Sequence, residues 1–138
     1  MSYLLDVNVL IALIDPLHVH HDVTADWFQR QGLSGWATCP ITENGVIRIV
    51  GNPRYPNTPG STAVVVAVLE RLRLVGNHVF WPDSISLLDT SRIVHARLPS
   101  WRSVTDTYLL ALAAANGGKL ATLDQRLGVD ATLGGAAA

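Results

Sequence analysis

Lysine is nearly missing from this chain. Lys119 stands alone beside nine arginines, and only two glutamates occur, Glu43 and Glu70. There is a single cysteine, Cys39, so no intrachain disulfide can form. One cysteine is the pattern of a reducing compartment, which sets the expectation of a cytoplasmic protein. No uninterrupted apolar run nears the roughly 20 residues that span a bilayer, so no membrane partner is expected. The N-terminus has no basic region ahead of an apolar core, and its apolar stretch YLLDVNVLIALI (3–14) is broken by Asp6 and Asn8, which argues against a signal peptide. Charge excess is missing too: the formal net charge is −1, so bulk charge does not mark a nucleic-acid binder. The patterns G-x-x-x-x-G-K-S/T, G-x-G-x-x-G and G-x-S-x-G are absent, which leaves nucleotide-loop and serine-hydrolase readings without support.

What is present suits one domain with one core: 138 residues, 49% of them hydrophobic. Tyr3 to Val7 reads as a buried strand, and a short helix follows over Asn8 to Ile14, capped by Asp6 or Asn8 and stopped at Asp15-Pro16. A helix over His20 to Gln31, a strand over Gly35 to Cys39 and a helix from Pro40 to Val50 come next. The segment GNPRYPNTPGS (51–61) reads as a surface loop. Then come a helix over Ser61 to Val75, a strand over His78 to Trp81, a helix over Ile85 to Ala96 and an irregular stretch around Pro99. The helix over Ser103 to Asn116 ends at Gly117-Gly118, and a strand over Lys119 to Leu123 leads to Asp124. Short strands alternating with helices predict an α/β fold with a central, mostly parallel sheet. Residues 1–133 form the expected domain, and 134–138 (GGAAA) a low-complexity tail.

The acids carry the chemistry. In a parallel sheet the functional crevice lies at the carboxyl ends of the strands, where Asp6 and Asp124 fall. Glu43 precedes Val46, Ile47 and Val50 at helical spacing, and Asp106 precedes Leu109 and Leu110, so both sit on core-facing stripes. An uncompensated charge there neutralises or finds a cation. Four converging carboxylates suit a hard divalent ion, Mg²⁺ or Mn²⁺, which prefers oxygen ligands and can promote displacement at phosphorus. Each acid also has a plain structural reading. Asp6 can cap the first helix, Asp106 can close a capping box with Ser103, and Asp124 can cap the DQRLG segment.

Taken together, DVNVLIALI, ITENGVIRIVGNP and SVTDTYLLALAAANGGKLATLD resemble the PIN-domain ribonucleases, and within them the VapC toxins of bacterial toxin–antitoxin pairs. The resemblance covers essentially the whole chain. It implies a PIN-like three-layer α/β/α sandwich and an acidic quartet at Asp6, Glu43, Asp106 and Asp124 holding Mg²⁺ or Mn²⁺. It also implies an endoribonuclease that leaves a 5′-phosphate and a 3′-hydroxyl, homodimer formation, and a VapB-type antitoxin that blocks the site. Asn8 matches the polar residue beside the first aspartate, Thr122 the threonine of the final T-x-D, and Arg48 an arginine in the helix of the glutamate. The RNA would be tRNA, rRNA or mRNA.

Other signals compete. His18, His20 and His21 lie close together, but no Cys or suitably spaced later His joins them, and His20 and His21 cannot share one helical face, so a surface or partner-contact role is expected rather than a zinc site. His95 and Cys39 read as structural. Of the four tryptophans, Trp101, beside Arg102 and ahead of Asp106, is the best candidate to stack on a base. A haloacid-dehalogenase-type phosphatase also starts with an aspartate after a strand, but it wants a second aspartate where Asn8 stands. A non-catalytic RNA- or partner-binding module is the other alternative, to be favoured by metal binding without turnover.

Overall fold

The computed structural model describes residues 1–98 and 100–124. Four short strands, β1 (Tyr3–Leu5), β2 (Trp36–Thr38), β3 (His78–Phe80) and β4 (Lys119–Ala121), form one sheet in the order β3-β2-β1-β4. Every pairing is parallel; Leu4 lies opposite both Ala37 and Leu120, and Leu5 opposite Ala121. The helices are α1 (Val7–Ile14), α2 (His21–Trp27), α3 (Pro40–Val50), α4 (Thr62–Leu72) and α5 (Val104–Ala115).

Strand alternation sorts the core into two halves. Leu4, Ala37 and Leu120 pack with Leu109, Leu110, Leu112 and Ala113 of α5. Leu5 and Trp36 point the other way, into Leu10, Val46, Val50, Val65 and Leu69 of α1, α3 and α4. A parallel sheet with helices on both faces is the three-layer α/β/α arrangement expected of the sequence; burial on both faces explains the apolar runs of β1 and β2, while the edge strand β3 leaves Val79 and Phe80 exposed. Trp36, fully buried, satisfies its indole N–H on the Val75 carbonyl at 2.9 Å.

Local chemistry fixes the ends that matter. Asp6 is the cap of α1, its Oδ1 accepting from the Val7 N–H at 2.7 Å. Pro40 opens α3, and the Thr42 hydroxyl accepts the Cys39 N–H at 3.0 Å. Gly45 lets α3 lie against the start of α1, since a Cβ there would meet Val7 Cγ2 at 2.7 Å. Gly117, at φ +69, turns the chain from α5 toward β4.

The expected helix over Ile85 to Ala96 does not form. The segment is a series of turns, with a single 3-10 turn at His95–Arg97. Its polar side chains compete for the backbone: Ser86 Oγ accepts from Leu88 N, and Asp89 Oδ1 accepts from both the N–H and the hydroxyl of Ser91. Such local bonds favour turns over a helix ladder. Ile93 is fully buried, Ile85 and Leu87 pack against the core in part, and Leu88 stays 83% exposed. His95 donates its ring N–H to the Leu87 carbonyl at 2.7 Å, a structural use on a turn rather than a helix. The second helix also stops short: after Trp27 the chain makes a π-helical turn, Phe28–Gly32. The expected tail at 134–138, the DQRLG segment beyond Asp124, and Pro99 lie outside the described residues.

Candidate active site

The carboxyl ends of β1 and β4 place the first group of acids. Asp6 follows β1 directly, with its backbone N–H donating to the Ala121 carbonyl at 2.9 Å. That bond extends the sheet by one step and sets Asp6 beside Thr122. The Thr122 hydroxyl donates to Asp6 Oδ2 at 2.7 Å. The same oxygen accepts from the Asp124 N–H at 3.0 Å and from Asn8 Nδ2 at 3.4 Å. One donation and two acceptances exhaust what a hydroxyl can do, so its orientation is fixed. Asn8 closes the ring by accepting from Leu123 N at 3.2 Å. Asn8 and Thr122 therefore tie the start of α1 to the end of β4 around Asp6.

Asp6 is buried, and burial pushes its carboxyl above the usual range; the Asp124 charge adds to the rise, against the bonds from Thr122 and Val7. Asp106, half-buried in the first turn of α5, is also raised, first by burial and then by the charges of Asp6 and Asp124. Ser103 precedes α5 but makes no side-chain capping bond, so the capping-box reading of Asp106 fails. The charge of Asp124 thus makes Asp6 costlier to ionise, and the charges of Asp6 and Asp124 do the same to Asp106.

Glu43 is handled differently. It lies in the first turn of α3, past the end of β2, with 19% of its side chain exposed. Its Oε2 accepts from the Thr38 hydroxyl at 2.6 Å and faces Arg73 Nη1 at 3.4 Å. Thr38 Oγ1 also meets His78 Nε2 at 2.8 Å. Arg73, Thr38 and His78 were not singled out by the sequence reading. They come from the end of α4, from β2 and from β3, and only the fold brings them together. Arg48, the arginine singled out on α3, is exposed on the outer face with Asn44.

Among the described residues no three His, Cys, Asp or Glu side chains form a ready-made cage for a metal ion. The donor set nonetheless fits a hard cation: it is all carboxylate oxygen, and the buried aspartates carry a repulsion that a divalent ion offsets. The three clustered histidines supply no competing site. His21 Nδ1–H donates to the Ala12 carbonyl at 2.7 Å, while His18 Nδ1 accepts from the His20 N–H at 3.0 Å. Trp101 is 78% exposed on the 3-10 turn ahead of α5, with the Arg102 guanidinium over its ring at 5.0 Å. Trp36 and Trp81 are core residues.

Residues 3–129 match the PIN domain family. The chain belongs to that family. Within it, the chain is 45% identical over 134 residues to Ribonuclease VapC44 of Mycobacterium tuberculosis (strain CDC 1551 / Oshkosh), covering 97% of this chain and 94% of the relative. Ribonuclease VapC39 of the same strain is 42% identical, with 97% and 96% covered. Ribonuclease VapC38 of strain ATCC 25618 / H37Rv is 41% identical over 121 residues, with 88% and 84% covered. This PIN domain therefore sits among the VapC ribonucleases, and the phosphatase alternative falls. No helix among its described residues is long and apolar enough to cross a membrane.

Proposed function

We propose that this PIN domain is a divalent-metal-dependent endoribonuclease toxin of a VapBC-type pair, acting in the cytoplasm and held silent by a VapB-type antitoxin. The observation that carries the reading is the crowding of Asp6, Asp106 and Asp124 at the carboxyl edge of a parallel sheet, where burial and mutual charge raise Asp6 and Asp106. Asp6, Glu43, Asp106 and Asp124 would hold Mg²⁺ or Mn²⁺. That cation supplies Lewis-acid activation of water and charge neutralisation at phosphorus.

The chain's own groups do the rest. Asp6 is fixed at both oxygens, by Val7 N–H and the Thr122 hydroxyl, so its remaining lone pairs face the crevice in one orientation. Asn8 and Thr122 keep the two strand ends in register around it. Arg48 and Arg102 are exposed and offer forked donors to flanking phosphates. Trp101 presents an open ring to an unpaired base of a tRNA, rRNA or mRNA loop. Cleavage leaves a 5′-phosphate and a 3′-hydroxyl, and the active form is a homodimer.

The test is cleavage of total bacterial RNA by antitoxin-free protein with Mg²⁺, Mn²⁺ or EDTA, beside Asp6→Ala. Discrete cuts that need both metal and Asp6 are expected. A folded, metal-loaded protein that leaves tRNA, rRNA and mRNA intact would sink the reading in favour of a binding module.

A further inference from the structure

Thr38 and His78 have no part in the reading above, yet they sit behind one of its four acids. The separation between Thr38 Oγ1 and Glu43 Oε2 is 2.6 Å, a distance that two oxygens tolerate only with a proton between them. A carboxylate has none to give, so the threonine donates. Its single proton is then spent, and its 2.8 Å contact with His78 Nε2 must be one in which the imidazole N–H donates. The His78 ring supports this. Burial and the neighbouring Arg73 charge hold it down to about 4, so near neutral pH it carries one N–H, and the geometry puts that proton on Nε2. Trp36 meets the ring in a T-shaped contact, centroids 4.6 Å apart, which restrains its plane.

We propose that His78 and Thr38 form a relay that aims the Glu43 carboxylate: His78 sets the hydroxyl, the hydroxyl holds Oε2, and Oε1 is left for the cation. Thr38 and His78 are positioning residues, since neither reaches the crevice itself. Both contacts made to Glu43 among the described residues, from Thr38 and from Arg73, fall on Oε2. The arrangement repeats the one at Asp6, where the Thr122 hydroxyl donates to a carboxylate while accepting from two fixed donors. Thr38 ends β2 and Thr122 follows β4, so two parallel strands deliver the same device to two acids. Groups behind a metal ligand that fix its orientation typically matter by about 10–100-fold in metal affinity or activity.

The inference rests on the metal-dependent reading, and its test separates the two. Mn²⁺ binding to metal-free protein is measured by calorimetry for the wild type, Thr38→Val and Thr38→Ser, and the His78 tautomer is read from its ring nitrogens by NMR. Thr38→Val keeps the buried shape and removes only the hydroxyl; it is expected to weaken Mn²⁺ binding by roughly 10–100-fold. Thr38→Ser restores binding, and the wild-type ring carries its proton on Nε2. Unchanged Mn²⁺ affinity in Thr38→Val, or a proton on Nδ1, overturns the relay while wild-type cleavage leaves the ribonuclease reading standing. A wild type that neither binds Mn²⁺ nor cuts RNA overturns both.

Discussion

The aspartates beyond β1 and β4 and the glutamate beyond β2 are held by opposite means. On the β1–β4 side, Asp6, Asp106 and Asp124 crowd together, and no described cation pairs with Asp6 or Asp106; burial and mutual repulsion raise both. On the β2–β3 side, Glu43 faces Arg73 and a hydroxyl donor, so its charge is compensated from within the chain. The difference shows where folding free energy is given up. The aspartate side is destabilised by its own charges and gains most from a bound cation. The glutamate side is already balanced by Arg73 and the Thr38 hydroxyl.

Neutralising one acid on each side should therefore shift stability in opposite directions. Asp106→Asn is expected to reduce cleavage to background and to raise the Tm of the metal-free protein near neutral pH. The sign follows from the raised carboxyl: the fold disfavours its ionised form, so a penalty sets in as pH rises through the raised value and is absent below the ordinary carboxyl range. Glu43→Gln also loses cleavage, but it leaves Arg73 without its counter-charge and should lower the Tm slightly, since such half-exposed pairs contribute about 0–1 kcal/mol. Thermal melts with EDTA read both. Equal upward shifts in the two variants would end the comparison.

A smaller effect separates the supports. Thr122→Val removes the hydroxyl that donates to Asp6 and anchors both Asp124 N–H and Asn8. A loss of roughly 10–100-fold in cleavage is expected, with Thr122→Ser retaining most of it. The fold should survive, because Thr122 lies beyond the last pairing of β4 and only partly buried. If Thr122→Val cuts RNA like the wild type, Asp6 is held by its capping bond to Val7 alone.

Much of the architecture was legible because it follows from periodicity. Continuous apolar runs marked the strands, and Pro40, Gly117 and the Asp6 cap marked helix ends. The placement of Asp6 and Asp124 after strands, and of Glu43 and Asp106 in first helical turns, is visible for the same reason: each follows from a local pattern. The supports of Glu43 are not local. His78 reaches Thr38 across 40 residues of chain, and Arg73 comes to Glu43 from the end of a different helix, α4. No single-segment pattern encodes that meeting. The segment over Ile85 to Ala96 failed for the converse reason: its apolar spacing suggested a helix, but Ser86, Asp89 and Ser91 bond their own backbone. Where short polar side chains interrupt a weak stripe, local bonds outweigh periodicity.

The least of the expected effects tests whether His78 is neutral in the fold. Its ring value is lowered from 6.5 to about 4, first by burial and then by Arg73. In the unfolded chain the same ring takes up a proton near its ordinary value. Between 6.5 and about 4 the unfolded state therefore binds more protons than the folded state, and stability is lost as pH falls through that window. The raised aspartates act with the opposite sign, because acidification relieves their repulsion. The aspartates and His78 thus oppose each other in mild acid. Substituting His78→Gln keeps an N–H able to reach Thr38 and removes the titration, so its urea midpoint should fall less than that of the wild type between about pH 7 and about pH 5. Arg73→Ala should flatten the profile only in part, since burial, the larger cause, remains. A wild type and His78→Gln with parallel profiles would mean that His78 takes up a proton in the fold as readily as in the unfolded chain. In mild acid it would then donate from both ring nitrogens, and the contrast between the two sides would narrow to Arg73 alone.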